Sequence, residues 1–288
     1  MTLLFDRTLE DVGNIVHLEH VNLAVPDQLM ATRFYISTLG LTRDPYLNTG
    51  VEVMWVNAGA TQFHLPHGPA QRLRGTLDLV IPDRQALLTR LRNAMLPLQH
   101  TAFAFEEHRD RIEVSCPWGN RLRCFEPDRT RFGNIRLGIV RIGFDVPTGC
   151  APGIARFYQG ILGAPAEVFS NPDEASAARI AVGAGQTLVF TESAAPLETY
   201  DGHHIQIYVA DFSGPHRRLK ALGLVSEESS QHQFRFLDIV DPQTGASCYQ
   251  LEHEVRSMTH PLFRRPLVNR NPAQTTRHYR PGADSLTP

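Results

Sequence analysis

Residues 18–26 read LEHVNLAVP, and residues 139–147 read IVRIGFDVP. Each segment is followed by an amphipathic stretch that ends in nearly the same letters, RFYISTLGL at 33–41 and RFYQGILGA at 156–164. Three more pairs follow in the same order: GATQ (59–62) with GAGQ (183–186), LDLVIPD (77–83) with IQIYVAD (205–211), and CPWGNRLRCFE (116–126) with DPQTGASCYQLE (241–252). The offset stays between 121 and 128 residues, so the sequence contains one whole domain twice. A solenoid repeat is much shorter, at about 20–50 residues.

Each unit also repeats itself internally. In the first unit the alternating strand ends at Pro26, and Asp27 is placed to cap a helix over about 28–38, which three short strands follow. The pattern begins again at GTLDLVIPD (75–83), with a second helix and three more strands. We therefore predict an α+β fold of four βαβββ motifs, with domains at 15–130 and 136–256. The Pro- and Arg-rich tail at 257–288 has no periodicity and is interpreted as an extended C-terminal arm.

The bulk composition excludes several classes of protein. The 288 residues carry a net charge of −2 and are 42% hydrophobic and 20% charged, values typical of a soluble globular protein. A charge so close to zero gives no reason to expect nucleic acid or a membrane surface as a partner. No segment is long and apolar enough to be a transmembrane helix, and the four cysteines form no CxxC pair, so we expect a cytoplasmic protein.

The paired βαβββ pattern resembles the vicinal oxygen chelate superfamily, which includes glyoxalase, fosfomycin-resistance thiol transferases, bleomycin-binding proteins and extradiol ring-cleaving dioxygenases. The resemblance rests on LEHVNLAVPD, RFYISTLGL, the P-x-G-N-R-L turn at 117–122 and DPQTG at 241–245, and it covers about residues 15–256. It implies tandem domains with cupped mixed sheets. In members that hold a metal, His, Gln or Glu side chains from the first, fourth, fifth and eighth strands chelate a divalent cation.

Carrying these ligand positions over gives four residues in each unit. In the first unit they are His20, Gln62, Thr76 and Arg123, and in the second Arg141, Gln186, His204 and Tyr249. In some members each cup combines halves of two different units. Paired in that way, the resemblance implies one site of His20, Gln62, His204 and Tyr249, and a second of Thr76, Arg123, Arg141 and Gln186.

Neighbouring positions extend the first of these sites. His64 lies two residues beyond Gln62 and so faces the same way; it is either a third imidazole ligand or part of the cavity mouth. Gln206 and Tyr208 share a strand face with His204, and such polar groups need partners once buried, which favours a substrate-binding pocket. A hydrogen-bonded core histidine is the alternative interpretation of His20.

The expected acidic ligand is absent from its usual place. Arg123 and Tyr249 occupy the positions four residues past the turn glycines, where metal-binding relatives carry Glu. Glu252 has the opposite strand parity and joins the metal ligands only if a bulge redirects it. Tyr249 is a candidate catalytic acid or base, since a cation nearby lowers the pKa of a phenol. Arg123 and Arg141 would bind a carboxylate or phosphate if they share a cup, or else form surface or interdomain salt bridges.

These residues predict a metal-dependent enzyme of the lyase, isomerase or dioxygenase type. Its cofactor would be a divalent ion (Fe, Mn, Zn or Ni), and its partner a small oxygenated organic substrate. One alternative is a metal-free binding or drug-sequestering protein of the bleomycin-resistance type. Another is a structural protein whose cups are filled by side chains, with no pocket beside His20. The sequence is compatible with a homodimer and does not decide the oligomeric state.

Overall fold

The four predicted motifs follow one another in the computed structural model, which describes residues 5–47, 50, 52–170 and 175–287. Motif 1 contains β1 (Ile15–Asn22), α1 (Gln28–Ala31), β2 (Thr42–Arg43), β3 (Val53–Ala58) and β4 (Thr61–Pro66). Motif 2 contains β5 (Gly75–Val80), α2 (Arg84–Ala94), β6 (Ala104–Glu107), β7 (Ile112–Ser115) and β8 (Arg121–Phe125). A short helix, α3 (Arg129–Phe132), lies between the two copies of the domain.

The second copy repeats this order. Motif 3 contains β9 (Gly138–Pro147), α4 (Ala151–Phe157), β10 (Ala166–Phe169), β11 (Ala177–Gly183) and β12 (Gln186–Ser193). Motif 4 contains β13 (His204–Val209), α5 (Ser213–Ala221), β14 (Val225–Ser230), β15 (Gln233–Val240) and β16 (Ser247–Ser257). The α+β class and the fourfold motif are therefore confirmed.

Two mixed eight-stranded sheets are built from these motifs, and each sheet takes one motif from each copy. The first sheet has the order β14-β15-β16-β13-β1-β4-β3-β2, and the second has the order β10-β11-β12-β9-β5-β8-β7-β6. Motif 1 thus joins motif 4 through the antiparallel pair β1–β13, and motif 2 joins motif 3 through β5–β9. The halves of the two copies are therefore exchanged. Residues that are far apart in the sequence come together in the cup of the first sheet. The domain boundaries at 15–130 and 136–256 divide the two sequence copies and stay a prediction.

The first helix of each copy changes its hydrogen-bond pattern part of the way along. Asp27 caps α1 as predicted, because its carboxylate accepts a 2.8 Å hydrogen bond from the backbone N–H of Met30. From Thr32 to Thr38 the chain continues as a π-helix, and α4 likewise continues as a π-helix from Tyr158 to Leu162. The wider turn buries Phe34 and Tyr35 against the sheet. The π-helix of the first copy includes the whole RFY segment, and that of the second copy begins at the tyrosine of this segment.

The C-terminal arm lies across the first sheet. The ring of Phe263 packs on Tyr208 with centroids 4.8 Å apart. Further along, Arg265 forms a 2.6 Å ion pair with the buried Asp44, and the backbone carbonyl of Val268 accepts a hydrogen bond from Asn57. The arm therefore connects motif 4 with motif 1. No helix in the part of the chain that the structure describes has the length and hydropathy of a membrane span.

Candidate metal centre

Three histidines from three neighbouring strands of the first sheet meet in its cup. His20 lies on β1, His64 on β4 and His204 on β13. One ring nitrogen from each histidine lies within 4.8 Å of a ring nitrogen of the other two. Three ligands of one ion, each at a bond length of about 2.1 Å, lie about 3.0–3.6 Å apart. The nitrogens of this histidine trio, which lie within 4.8 Å of one another, therefore reach ligand distance when the side chains move together by more than an ångström.

Strand register explains why the trio converges. His20 lies opposite Gln206 on antiparallel β13, and Asn22 lies opposite His204 on β13 and His64 on parallel β4. Because side chains two residues apart share a face, all three imidazoles project into one cup. The ring centroids are 5.7 Å apart for His20 and His64, 6.0 Å for His20 and His204, and 6.4 Å for His64 and His204.

Burial keeps the trio uncharged. It lowers the pKa of His20 well below its usual range, that of His64 to about 4 and that of His204 to about 2. The positive charge of Arg256 lowers the pKa of His20 and of His64 further. Neutral imidazole is the form that binds a metal. The trio is therefore in its ligating form at neutral pH.

One nitrogen of the trio makes no hydrogen bond to any described residue. This atom is the buried Nε2 of His204. On the other side of the cup, the indole of Trp55 stacks on His64 with ring centroids 4.0 Å apart. His64 is partly exposed, whereas His20 and His204 are buried. His64 is therefore the most exposed member of the trio, and His204 keeps a buried nitrogen for a ligand.

A buried carboxylate that the sequence analysis missed lies beside the trio. Glu254 on β16 is opposite Gln206, and its Oε2 lies 3.9 Å from Nε2 of His204. Arg235 and Arg256 hold this carboxylate in ion pairs of 2.5 and 2.6 Å. Burial raises the pKa of Glu254, and the two guanidinium groups oppose that shift. The cup thus contains three imidazoles and an acid.

The length of β16 explains why counting from the turn glycine missed this acid. In β8, Arg123 is four residues past the turn glycine Gly119, and it is already within the part of the strand that pairs with β5, opposite Asp78. In β16, residues 247–251 come before the part that pairs with β13, so the matching position is Glu254 and not Tyr249. A strand extension of this kind has no composition signal. The sequence feature that could have indicated Glu254 is the alternation of Glu252, Glu254 and Arg256, which places three charged side chains on one strand face.

Tyr249, predicted as the catalytic acid or base, lies elsewhere. Its ring packs against Phe144 and Phe190, and the guanidinium carbon of Arg74 lies 4.2 Å from the ring centroid. Burial raises the pKa of this phenol well above its usual range, an effect larger than the opposing one of Arg74. Its contacts thus separate Tyr249 from the histidine trio, so the predicted role as acid or base has no support in its surroundings.

Glu252 and Gln62 border the trio but are engaged in other contacts. The predicted irregularity in β16 is present as a register shift between Phe236 and Asp238 on its partner strand, and Glu252 lies opposite His204. Its carboxylate accepts a 2.6 Å hydrogen bond from Arg235. The amide of Gln62 donates to Asn57 (2.6 Å) and Asp44 (3.2 Å).

A second acid reaches the cup through a bulge in β1. The register of β1 against β13 shifts between Leu18 and His20, which brings the buried Glu19 beside His20. Its Oε2 lies 3.3 Å from Nδ1 of His20 and accepts a 3.1 Å hydrogen bond from Arg256. Glu19 thus anchors Nδ1 of His20 and leaves Nε2 as the nitrogen available to a ligand. The strand pattern gave no signal for this bulge.

Gln206 and Tyr208, predicted to line the substrate pocket, differ in their contacts. The hydroxyl of Tyr208 donates to Glu19 (3.2 Å), so this side chain supports the anchor of His20. Both amide atoms of Gln206 are buried without a hydrogen-bond partner within the described residues. Gln206 lies in register between His20 and Glu254 and offers a free donor and acceptor beside the trio.

The predicted arginine pair lies in the other sheet. Arg123 and Arg141 both bind the carboxylate of Asp78 in the second cup. Gln186, which the resemblance placed with them, is directed elsewhere, because its amide donates to the backbone carbonyls of Leu18 and Ile139. Within the described residues, the exchanged pairing therefore separates a histidine cup from an arginine cup, as the sequence predicts.

The two eight-stranded sheets, each formed by two βαβββ motifs, are the fold that the sequence resemblance implied, and several solved structures share it. Glyoxalase I from Zea mays is 11% identical and has a TM-score of 0.61, over 84% of this chain and 92% of that chain. A candidate dioxygenase from Bacillus subtilis is 13% identical with a TM-score of 0.55, over 86% of each chain. The cppA protein from Streptococcus pneumoniae is 12% identical with a TM-score of 0.50, over 85% of this chain and 99% of that chain.

At these identities the likeness concerns the fold alone. No protein-family model matches the sequence, and no curated protein matches it at a significant level. The chemistry of the chain therefore has to be argued from its own side chains.

Proposed function

We propose that this chain is a metal-dependent enzyme acting on a small oxygenated organic substrate, with a divalent ion held by His20, His64 and His204. The observation that carries the proposal is the convergence of three neutral imidazoles from separate strands. A core built only for stability gains nothing from three such groups, because each buried polar atom costs free energy unless it has a partner. Nε2 of His204 is such an atom without a partner among the described residues.

The donor set suits a divalent transition metal. Imidazole nitrogens with a carboxylate nearby are the ligands that Fe(II), Mn(II), Zn(II) and Ni(II) accept in proteins. Glu19 supports the set from outside, since it fixes the ring of His20 through Nδ1. A metal in this position supplies a Lewis acid that stabilises negative charge developing on substrate oxygens.

The remaining side chains of the cup suit proton transfer. Glu254 is buried next to His204, where burial raises its pKa against the opposing effect of Arg235 and Arg256, and it is the carboxylate placed to accept a proton there. The amide of Gln206 is free to donate to one substrate oxygen and so to fix its orientation. Arg235 and Arg256 keep Glu254 in place while the proton moves. This arrangement favours lyase or isomerase chemistry, in which a base removes a proton next to a polarised oxygen.

Elemental analysis of the purified chain, supplied with Fe, Mn, Zn and Ni, tests the proposal. We expect about one metal ion per chain in the wild type, and a loss of most of it in His20→Ala and His204→Ala. His67→Ala is the matched control, because the side chain of His67 is exposed and lies 3.6 Å from the exposed Glu52. If the wild type binds none of the four metals, or if His204→Ala binds as much as the wild type, the proposal is wrong. The metal-free binding protein then becomes the better explanation.

A further inference from the structure

The second sheet carries a different group of side chains at the positions that form the metal centre in the first. In the first sheet, Gln206 lies in register between its neighbours on β1 and β16. In the second sheet, Asp78 lies in register between its neighbours on β9 and β8. The corresponding positions are therefore Gln206 and Asp78, His20 and Arg141, Glu254 and Arg123, and His204 and Thr76. One scaffold presents neutral imidazoles on one side and guanidinium groups on the other.

Both arginines are oriented by the same buried carboxylate. Nε of Arg123 donates to Oδ1 of Asp78 at 2.7 Å, and Nε of Arg141 donates to Oδ2 at 2.7 Å. Asp78 is 1% exposed, whereas the side chains of Arg123 and Arg141 are 31% and 35% exposed. Each guanidinium therefore uses one edge to bind Asp78 and keeps further N–H donors toward solvent. The two guanidinium groups share the single negative charge of Asp78, so this group of three side chains has one positive charge in excess.

Open space adjoins these donors. A cavity of about 430 Å³ and another of about 270 Å³ share two lining residues, Thr76 and Arg123. The smaller cavity is also lined by Arg141 and Gly143. Gly143 stands where the first sheet has Asn22, and a Cβ added there meets nothing closer than 3.7 Å. The glycine therefore leaves room in front of the arginine pair.

Three acids lie near the two cavities: Glu113, which faces Arg123 across the β7–β8 pair, Glu106 and Asp145. Two of them are engaged by other arginines. Asp145 lies 3.4 Å from Arg121, and Glu113 forms a 2.7 Å ion pair with Arg111. Holding one buried aspartate requires only one arginine. The second arginine costs free energy, because its long side chain must be ordered and partly desolvated. That cost is offset only if another group binds its charge. The solvent-facing N–H donors of two guanidinium groups held side by side, together with the adjoining cavity, point to a ligand with acceptor oxygens.

We propose that this second cup binds a small oxyanion, the carboxylate or phosphate group of an organic ligand, between Arg123 and Arg141. The hydroxyl of Thr76 lines the same space and is the third donor. Guanidinium groups match such anions in both charge and geometry, and Asp78 holds the two groups in place before the ligand arrives. The inference is independent of the metal centre, which lies in the other sheet.

Isothermal titration calorimetry on the full chain, freed of metal with EDTA and dialysed, tests this inference. The probes are inorganic phosphate and oxalate at constant ionic strength, with chloride as the reference for non-specific binding. We expect saturable binding of one equivalent of phosphate or oxalate, and the tighter of the two identifies the head group. Arg123→Lys and Arg141→Lys keep the charge that Asp78 needs but lose the planar fork, so each weakens binding by about tenfold or more. Arg179→Lys, at an exposed pair on β11, leaves it unchanged.

Two further variants keep the test decisive. Thr76→Val breaks no ion pair, so weaker anion binding in this variant supports the site even if an arginine variant unfolds. His204→Ala should bind the anions as the wild type does. The inference is overturned if neither anion binds more than chloride does, or if both lysine variants bind as tightly as the wild type. It is also overturned if oxalate binds only to metal-loaded protein and binding is lost in His204→Ala.

Discussion

Glu254 and His204 lie on adjacent parallel strands, with Oε2 of the acid 3.9 Å from Nε2 of the imidazole. The contact brings a buried carboxylate to a nitrogen that has no other partner within the described residues. Arg235 and Arg256 bind the same carboxylate and offset the cost of burying its charge. The acid of the cup is therefore held by the protein, and the metal affinity should depend chiefly on the histidine trio.

Replacing this acid should separate stability from metal binding. Glu254→Gln leaves Arg235 and Arg256 with a weaker partner, and breaking such a buried pair costs about 3 kcal/mol of unfolding free energy. Metal content should remain near that of the wild type, since three imidazoles stay in place. Urea denaturation and elemental analysis measure the two effects. Glu227→Gln, an exposed partner of Arg235, is the control and should change neither. Loss of all metal in Glu254→Gln would show that the acid is an essential ligand.

The buried histidines should make the metal-free protein sensitive to mild acid. Their pKa values are lowered in the folded state, to about 4 for His64 and about 2 for His204. Below the unfolded value of about 6.5 the unfolded chain takes up protons that the folded chain does not. Stability is therefore full above pH 6.5 and falls as the pH drops toward 4, by about 1.4 kcal/mol per histidine at pH 5.5.

Urea denaturation of EDTA-treated protein at pH 7.5 and 5.5 measures this loss. In His204→Gln the difference between the two pH values should shrink by about 1.4 kcal/mol, because one buried imidazole is gone. His216→Gln, at a partly exposed histidine paired with Glu228, serves as the control and should keep most of the difference. An identical pH dependence in His204→Gln and the wild type would contradict the burial of a neutral imidazole there.

The bulge in β1 should matter for metal affinity through Glu19. Glu19→Gln weakens the hold on Nδ1 of His20, and losing such a supporting contact lowers metal affinity by about 10- to 100-fold. Competition with a chromophoric chelator measures the affinity. Glu52→Gln, an exposed acid paired with His67, should have no effect. Unchanged affinity in Glu19→Gln, with a normal thermal midpoint, would show that the ring of His20 needs no anchor.

One ion pair of the C-terminal arm, between Arg265 and Asp44, should contribute measurably to stability. Arg265 neutralises Asp44, whose carboxylate is fully buried. Arg265→Ala leaves that charge with backbone and amide donors only, and we expect a loss of about 3 kcal/mol in the free energy of unfolding. Chemical denaturation checks it, with Arg264→Ala as the adjacent control, which should stay within about 0.5 kcal/mol of the wild type. Equal stability of the two variants would mean that the arm is not fastened at this point.

The sequence predicts the fold because its information is periodic. Two copies of one domain, each with strands of period two, fix which residues share a face. That parity places His20, His64 and His204 in one cup once the halves are exchanged. It also separates them from Arg123 and Arg141.

Glu254 and Glu19 were not predicted as acids of the site, unlike Glu252, because they depend on departures from that period. Glu254 reaches the cup after an extension of β16, and Glu19 reaches it through the bulge beside His20. Neither irregularity carries a glycine or proline signal at its own position, and each is stabilised by Arg256, a contact made across strands. Asp78 was overlooked for a different reason: it reads as one polar residue in an apolar strand until two arginines from other strands surround it.

The most direct test of the central claim is a crystal structure of the metal-loaded chain with an anomalous difference map at the absorption edge of the bound metal. The account predicts one strong peak in the first cup, at about 2.0–2.3 Å from nitrogens of His20, His64 and His204. A metal-loaded crystal without a peak there, or with its peak at other residues, would contradict it.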